Sequence, residues 1–378
     1  MRKILIIGLS NIDIITSCTT YPQEDTDEKC EGIYIQRGGN ASNNCTILSQ
    51  LGKSCEFLGS LGQDWIGTLI AKDLDQLHID SKNCPIYDQT YNSPSSVVII
   101  NTTDGTRTIR HYNPGFPELT CAYFENKINK KTIANYSWIH FEGRRKNLDE
   151  IFKMICYTLI NQKPSSTIFP FTPFISVEVE KPSDLTWPHF STLNINLYFI
   201  GKDYAKYRGF SNMNETVTIL YHEMLNKSLK TMLDHDPIII STWGELGSCA
   251  LLSTSQSDTL SSHYSIIECP PIHALSVNKP LDTLGAGDAF IAAFIHSLHS
   301  FEELQQNDDP KWLKFIQDAN NLSERIAYDS KTTVQINHNT KVKIVKICLD
   351  YANYIAGLKC AHIGLTNLNI PISFKQSF

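Results

Sequence analysis

The chain has 378 residues, of which 42% are hydrophobic and 19% charged, with a formal net charge of -6 and a pI near 6.1. That apolar content can bury a large core and excludes wholesale disorder. The mild acidity gives no electrostatic reason to bind nucleic acid or an anionic membrane, so any bound phosphate must be held locally by a few groups.

Met1-Arg2-Lys3 leads into Ile4 to Gly8. This apolar run is too short for a signal h-region or a membrane span and reads as a buried first strand. No later stretch is long and apolar enough to span a bilayer, so the expectation is a soluble, cytoplasmic protein. The 11 cysteines form no Cys-x-x-Cys pair and no zinc spacing, and read as reduced, mostly buried thiols.

Apolar runs of strand length alternate with helical patterns. Asn40 to Leu51 carries Ala41, Cys45, Leu48 and Leu51 near a helical period, and Gly52 closes it. Cys55 to Leu58 is the next strand and Trp65 to Leu77 the next helix. Further strands are expected at Ser96 to Asn101, Trp138 to Phe141, Ile175 to Val179, Leu197 to Ile200 and Ile238 to Thr242. The fold class is therefore α/β, a mostly parallel sheet covered on both faces, in one domain over 1–378. Residues 14–36 and 95–112 are rich in Thr, Ile, Val and Tyr and read as a small accessory sheet. Residues 302–343 are dense in Asn, Asp, Gln and Ser and read as a surface insertion, partly disordered.

Two loops carry the chemistry. Asp282-Thr283-Leu284-Gly285-Ala286-Gly287-Asp288 precedes a strong helical pattern. Small residues at a loop-to-helix junction let backbone N–H groups approach an anion, and the helix N-terminus adds positive character. Asp288, in the first turn, stands where a carboxylate can take the proton from an attacking hydroxyl, or where it merely complements the dipole. Upstream, Arg37-Gly38-Gly39-Asn40-Ala41-Ser42-Asn43 meets another helix start. Asn40 and Asn43 share one helical face, and their amides suit sugar hydroxyls; Asn40 also reads as a helix cap. Asp13 follows the first strand, near the end where open α/β sheets bind ligands, or is a turn residue. Gly52-Lys53-Ser54 mimics a Walker A tail, but position 47 is Ile47 and Gly52 ends a helix rather than opening one.

Taken together, the order and separation of Gly38-Gly39-Asn40 and Asp282 to Asp288 resemble the two signatures of the ribokinase-like (PfkB) sugar kinases. Tyr21 to Asp25, Gln36 to Asn43, Cys45-Thr46, Trp138 to Arg144, Ser176 to Pro182 and Lys202-Asp203 are similar to the ketohexokinase group within that family. The resemblance implies a three-layer α/β/α domain with a small β-sheet lid, and ATP-dependent transfer to the 1-hydroxyl of fructose. It implies Asp288 as catalytic base and Gly285, Ala286 and Gly287 as the anion hole. Sugar contacts are implied at Asp13, Gly39, Asn40, Asn43 and Asp288, with Asp25 reaching the active site of a partner subunit in a homodimer clasped through the lid. Nucleotide contacts are implied at Arg107 and at Gly244, Glu245, Leu246 and Gly247. Mg²⁺ and K⁺ are the implied ions, and Glu178 and Glu180 stand where they could order Mg²⁺ through water, or form a solvated strand-end cluster. Another ketose, ribose or a nucleoside is the alternative acceptor, and a sugar-binding regulator without catalysis the remoter reading. Two departures stand out: Leu246 replaces an expected acid, and Ala361 to Asn367, beside the expected adenine and cation sites, is poorer in glycine than the family.

Overall fold

A computed structural model describes residues 2–103, 105–129, 131–143, 150, 151, 155, 173–182, 187, 195–227, 237–253, 264–272, 280–307, 309–320 and 337–371. The first strand, β1 (Lys3–Ile7), lies between β4 (Cys55–Leu58) and β9 (Tyr136–Glu142), parallel to both. The sheet continues in parallel through β10 (Phe174–Val179), β11 (Leu197–Gly201) and β12 (Ile238–Thr242). It ends in two antiparallel strands, β13 (Ser248–Ser253) and β14 (Tyr264–Cys269), giving the order β14-β13-β12-β11-β10-β9-β1-β4.

Side-chain alternation explains the layers. Ile4 and Ile6 enter one core while Leu5 and Ile7 enter the other, and all four are buried. The first face is covered by α1 (Asn40–Gln50), α2 (Trp65–Gln76), α6 (Ala286–Gln306), α7 (Pro310–Asn320) and α8 (His338–Cys360). The second is covered by α3 (Cys121–Lys127), α4 (Lys202–Tyr207) and α5 (Met213–Lys227). Buried nearly all round, α6 is the central helix of its layer and packs along both α1 and α8. No helix among the described residues is long and apolar enough to cross a membrane.

A separate four-stranded sheet stands off this body, in the order β3 (Gly32–Gly38), β2 (Asn11–Cys18), β7 (Ser95–Asn101), β8 (Arg107–Tyr112). Its register aligns Gln36, Asp13, Ser96 and His111 in one row and Tyr34, Ile15, Val98 and Ile109 in another on the same face. That face packs onto Leu284 of the glycine loop. A short pair, β5 (Leu61–Gly62) and β6 (Ile86–Tyr87), completes the strands described.

Of the expected surface insertion over 302–343, the described residues are largely helical. Residues 302–306 finish α6, and α7 follows at Pro310. Asp309 caps it through Lys311 N, 2.8 Å away, and proline suits the first helical position. Trp312, Phe315 and Ile316, spaced three and four apart, form an apolar stripe that the surrounding polar residues disguise; Trp312 and Ile316 are buried. Residues 321–336 and Arg144 lie outside the described residues.

If α7 packs as described, Trp312→Ala should cost about 3–5 kcal/mol of stability, the usual range for emptying an aromatic core position. The denaturation midpoint measures it; a shift no larger than a surface substitution gives would mean that α7 is not part of the core.

Candidate active site

The Gly-Gly-Asn turn is built by steric exclusion. Gly39 has φ 95°, and a Cβ there would come within 2.4 Å of the Leu9 carbonyl oxygen. A Cβ on Gly38 would lie 2.1 Å from Asp13 Oδ2, so the missing side chain makes room for that carboxylate. Gly39, not Asn40, caps α1. The Asn40 side chain is thereby free to donate from Nδ2 to Glu178 Oε1 and Oε2, both at 3.2 Å, and to Glu180 Oε2 at 2.8 Å. One turn on, Asn43 Nδ2 donates to Asp288 Oδ2 at 2.7 Å, and Asn44 Nδ2 donates to the Asp288 carbonyl at 2.9 Å. Two stretches 245 residues apart thus meet in one buried contact. The Asn43 amide oxygen is buried and meets no protein donor among the described residues, leaving an acceptor for a ligand hydroxyl.

The glycine loop is open where a phosphate would rest. Gly285, at φ 80°, sits in the left-handed region and caps α6, and Asp288 falls in that helix's first turn. Gly287 is exposed, and a Cβ built on it would meet nothing within 4 Å. First-turn N–H groups lack intrahelical partners; the Ala286 N–H turns back to the Thr283 carbonyl at 3.3 Å, and the open surface at Gly287 makes the turn suited to cradling an anion. Arg107 reaches over from β8 and donates from Nη1 to Thr283 Oγ1 at 2.8 Å, beside that cradle.

Burial pushes the Asp288 carboxyl up to about 7; the Asn43 hydrogen bond pulls it down, and the nearby Glu180 and Glu142 push it further up. Glu178 is raised as well, first by burial and then by Glu180, Asp288 and Glu142. Burial likewise raises Asp13, against hydrogen bonds from Asn11 and Ser96 that lower it. Asn11 Nδ2 lies 2.7 Å from Asp13 Oδ1 and 2.9 Å from Ser96 Oγ, and Ser96 Oγ lies 3.0 Å from His111 Nδ1. From Asp13 through Asn11 and Ser96 to His111, the polar side of the small sheet is therefore a continuous hydrogen-bonded chain.

The other expected residues stand apart from this cluster. Gly244, Glu245, Leu246 and Gly247 form a single turn between β12 and β13, with Glu245 held by Lys202 at 2.6 Å and Leu246 exposed. The turn is two strands from β10, about 10 Å across the sheet. Asp25 is exposed on the β2–β3 connection, at φ 60°.

Two features escaped sequence reading. Glu142 ends β9 and accepts from Leu9 N at 2.8 Å and Ala41 N at 3.3 Å, fixing the turn that presents Asn40. Its signal was position, at the carboxyl end of a parallel strand. Lys359 is fully buried and bonds Asp282 Oδ2 at 2.8 Å. It lies on the apolar stripe of α8 set by Val345, Cys348, Ala352 and Ile355, all buried, so a charge on a core stripe was the available sign. Burial lowers its pKa while Asp282 raises it.

Comparison with known proteins defines the class. Residues 1–175 match the pfkB family carbohydrate kinases. Ketohexokinase of Mus musculus is 33% identical over 307 residues, covering 81% of this chain and 92% of the mouse protein. A ribokinase of Dictyostelium discoideum is 25% identical over 310 residues, covering 79% and 87%. The solved ribokinase of Giardia lamblia shares the fold, with a TM-score of 0.70 at 15% identity over 100% of this chain and 98% of that one. The chain belongs to the pfkB family of carbohydrate kinases. It is a phosphotransferase of the ketohexokinase type, using ATP to phosphorylate a sugar.

Such a kinase uses ATP with Mg²⁺. Among the described residues no three His, Cys, Asp or Glu side chains form a cage that could hold a metal ion. The hard oxygens of Glu178 and Glu180 fit a hydrated Mg²⁺ that arrives with ATP.

The raised Asp288 carboxyl also sets a stability cost. Its folded pKa lies above the unfolded value, so the native state binds that proton more tightly; the resulting stability is complete below the unfolded value of 3.8 and is lost as pH rises through about 7. Asp288→Asn should therefore melt higher than the wild type at pH 8, by an amount on the order of a few kcal/mol, and the gap should close in acid. A variant less stable than the wild type at both extremes would make the carboxylate a structural group instead.

Proposed function

We propose that this kinase transfers the γ-phosphoryl group of ATP to the 1-hydroxyl of fructose, giving fructose 1-phosphate and ADP, with Asp288 as general base. The contact between Asn43 and Asp288, 2.7 Å long, carries this reading, because it places an amide suited to sugar hydroxyls against a carboxylate suited to deprotonating one. The unpartnered Asn43 oxygen and the Asp13 carboxylate supply acceptors for the remaining hydroxyls. The similarity to mouse ketohexokinase supports fructose as the acceptor.

The steps follow from the side chains. The sugar binds first, between α1 and the polar row of the small sheet, with Asp13, Gly39, Asn40 and Asn43 at its hydroxyls. Asp288 takes the proton from the 1-hydroxyl as that oxygen attacks the γ-phosphorus in line. The backbone amides of Gly285, Ala286 and Gly287, at the positive end of α6, hold the charge that spreads over the phosphoryl oxygens. Arg107 closes over the same oxygens from β8, its planar fork suited to phosphate. Glu178 and Glu180 would hold Mg²⁺ through water, and the ion would supply positive charge against the nucleotide phosphates. Gly244, Glu245, Leu246 and Gly247 receive the nucleoside end, about two strand spacings along the sheet. A closed lid excludes water and limits wasteful hydrolysis of ATP.

The small sheet also serves assembly. Its outer face carries Ile35 and Val97 on either side of Ile14, which packs on the main core, and Ile33, Thr16 and Ile99 in the next row. Ile33, Ile35 and Val97 are 67%, 53% and 46% exposed, too much clustered apolar area for a free edge domain, so a second copy covers it. Asp25, at the tip of the same sheet, then reaches the partner's site. The described cysteines are all free thiols, which suits the reducing cytoplasm as the place of action.

ADP release measured with fructose, other ketoses, ribose and nucleosides, with phosphorus NMR to locate the new ester, tests the reaction. Fructose should give the highest kcat/KM and only the 1-phosphate. A better acceptor, or an ester elsewhere, would move the assignment within the family. Asp288→Asn should lower turnover roughly 10²–10⁴-fold, the range for losing a general base. In the wild type, kcat/KM should fall as pH drops through about 7, because the base must be ionised, and that limb should vanish in the variant. Near-normal turnover by Asp288→Asn would remove the residue from this role. Asn43→Ala should raise the KM for sugar more than that for ATP; an equal effect on both speaks against direct sugar contact.

A further inference from the structure

Behind the anion cradle lies a cation that belongs to the chain. Lys359 ends α8 with no exposed surface, and its ammonium has three protons to place. All three find oxygen: Asp282 Oδ2 at 2.8 Å, the Asp282 carbonyl at 3.0 Å and the His362 carbonyl at 3.1 Å. The Asp282 carboxylate is used just as fully. Its Oδ1 accepts from Leu284 N at 2.8 Å, and its Oδ2 also accepts from Gly364 N at 3.0 Å. One ion pair therefore ties together the loop that precedes Gly285, the loop that follows α8, and the end of α8 itself.

The contact is next to the chemistry. Leu284 precedes Gly285, and a Cβ on Gly285 would lie 2.8 Å from Leu365 Cδ1, so the loop after α8 backs directly onto the cradle. A carboxylate and two carbonyl groups turned inward on one point are the ligands that a bound monovalent cation would use. Here they enclose the Lys359 ammonium. The K⁺ that the family resemblance implied beside residues 361–367 does not fit among these oxygens, because they are already taken.

We propose that Lys359 is a built-in monovalent cation: its ammonium, held by Asp282 and the His362 carbonyl, sets the anion cradle for the ATP phosphates in place of a bound K⁺. Lys359 is a positioning residue; it acts through Asp282 and Leu284 rather than by touching substrate. The inference rests on the kinase reading above and adds that this kinase works without added K⁺.

The test begins with the unaltered enzyme, dialysed free of K⁺, with choline chloride holding ionic strength constant. Its ATP dissociation constant by calorimetry and its turnover with fructose should be unchanged as K⁺ replaces choline. A several-fold gain in either on adding K⁺ overturns the proposal. Lys359→Met keeps the apolar stem of the side chain and removes only the charged nitrogen, vacating its place among the oxygens. In choline its turnover should fall roughly 10²-fold, as expected for a lost preorganised charge. K⁺ or ammonium should then recover much of that loss and tighten ATP binding, a rescue that a merely structural lysine would not give. Full activity of the variant without either cation also overturns the proposal. If the variant does not fold, the cation series on the wild type decides alone. An enzyme that phosphorylates none of the sugars would end the kinase reading, whereas ATP binding that depends on K⁺ would end only this one.

Discussion

Everything in this site turns on keeping one carboxylate buried at the start of a helix. Asp288 sits in the first turn of α6, where the helix field favours its ionised form, yet burial and the nearby Glu180 and Glu142 oppose it. The balance leaves the group near neutrality of preference at physiological pH, which suits a base that must hold a proton briefly and then release it. Asn43 is the fixed partner in this balance. Its amide nitrogen bonds the carboxylate and its amide oxygen is left over. Removing α1 from its place would therefore change both the geometry of the base and its charge, and α1 is placed by Glu142 and by the close approach of Gly39 to Leu9.

The small sheet is coupled to this centre by construction. One of its faces holds the row from Gln36 to His111, and the next row packs on Leu284. Arg107 at the start of β8 bonds Thr283 in the same loop. A displacement of the sheet must disturb the glycine loop, Asp13 and Arg107 together. Under the proposed function such linkage limits the loss of ATP to water, since a sheet that moved independently would leave the phosphates open.

Much of this was legible in the residues, for identifiable reasons. The parallel strands announced themselves because both faces are buried, so Ile4 to Ile7 is apolar without interruption. The two glycine loops were visible because only glycine tolerates the backbone at positions 39 and 285. What stayed hidden depends on tertiary partners. The stripe of Trp312 and Ile316 is short and set among polar residues, so α7 did not stand out from a loop. Glu142 and Lys359 carry no local motif; their roles exist only because β9 meets α1 and because the end of α8 meets Asp282. The row of Asp13, Ser96 and His111 is likewise a product of register between strands far apart in sequence.

The charge arrangement discriminates between a neutral ligand and an anionic one. Glu178 and Asp288 are buried in one region, with Glu180 and Glu142 close enough to raise their pKa values. Under the proposed function a neutral sugar would enter this region without electrostatic penalty. A bare polyphosphate would meet repulsion at the same place. The compensating charge is partial or committed elsewhere: the α6 N-terminus is a dipole, Lys181 pairs with Glu180 at 3.0 Å, and the Lys359 charge is balanced by Asp282. A cation that accompanies the nucleotide phosphates would reduce that repulsion without abolishing it, since the complex stays anionic.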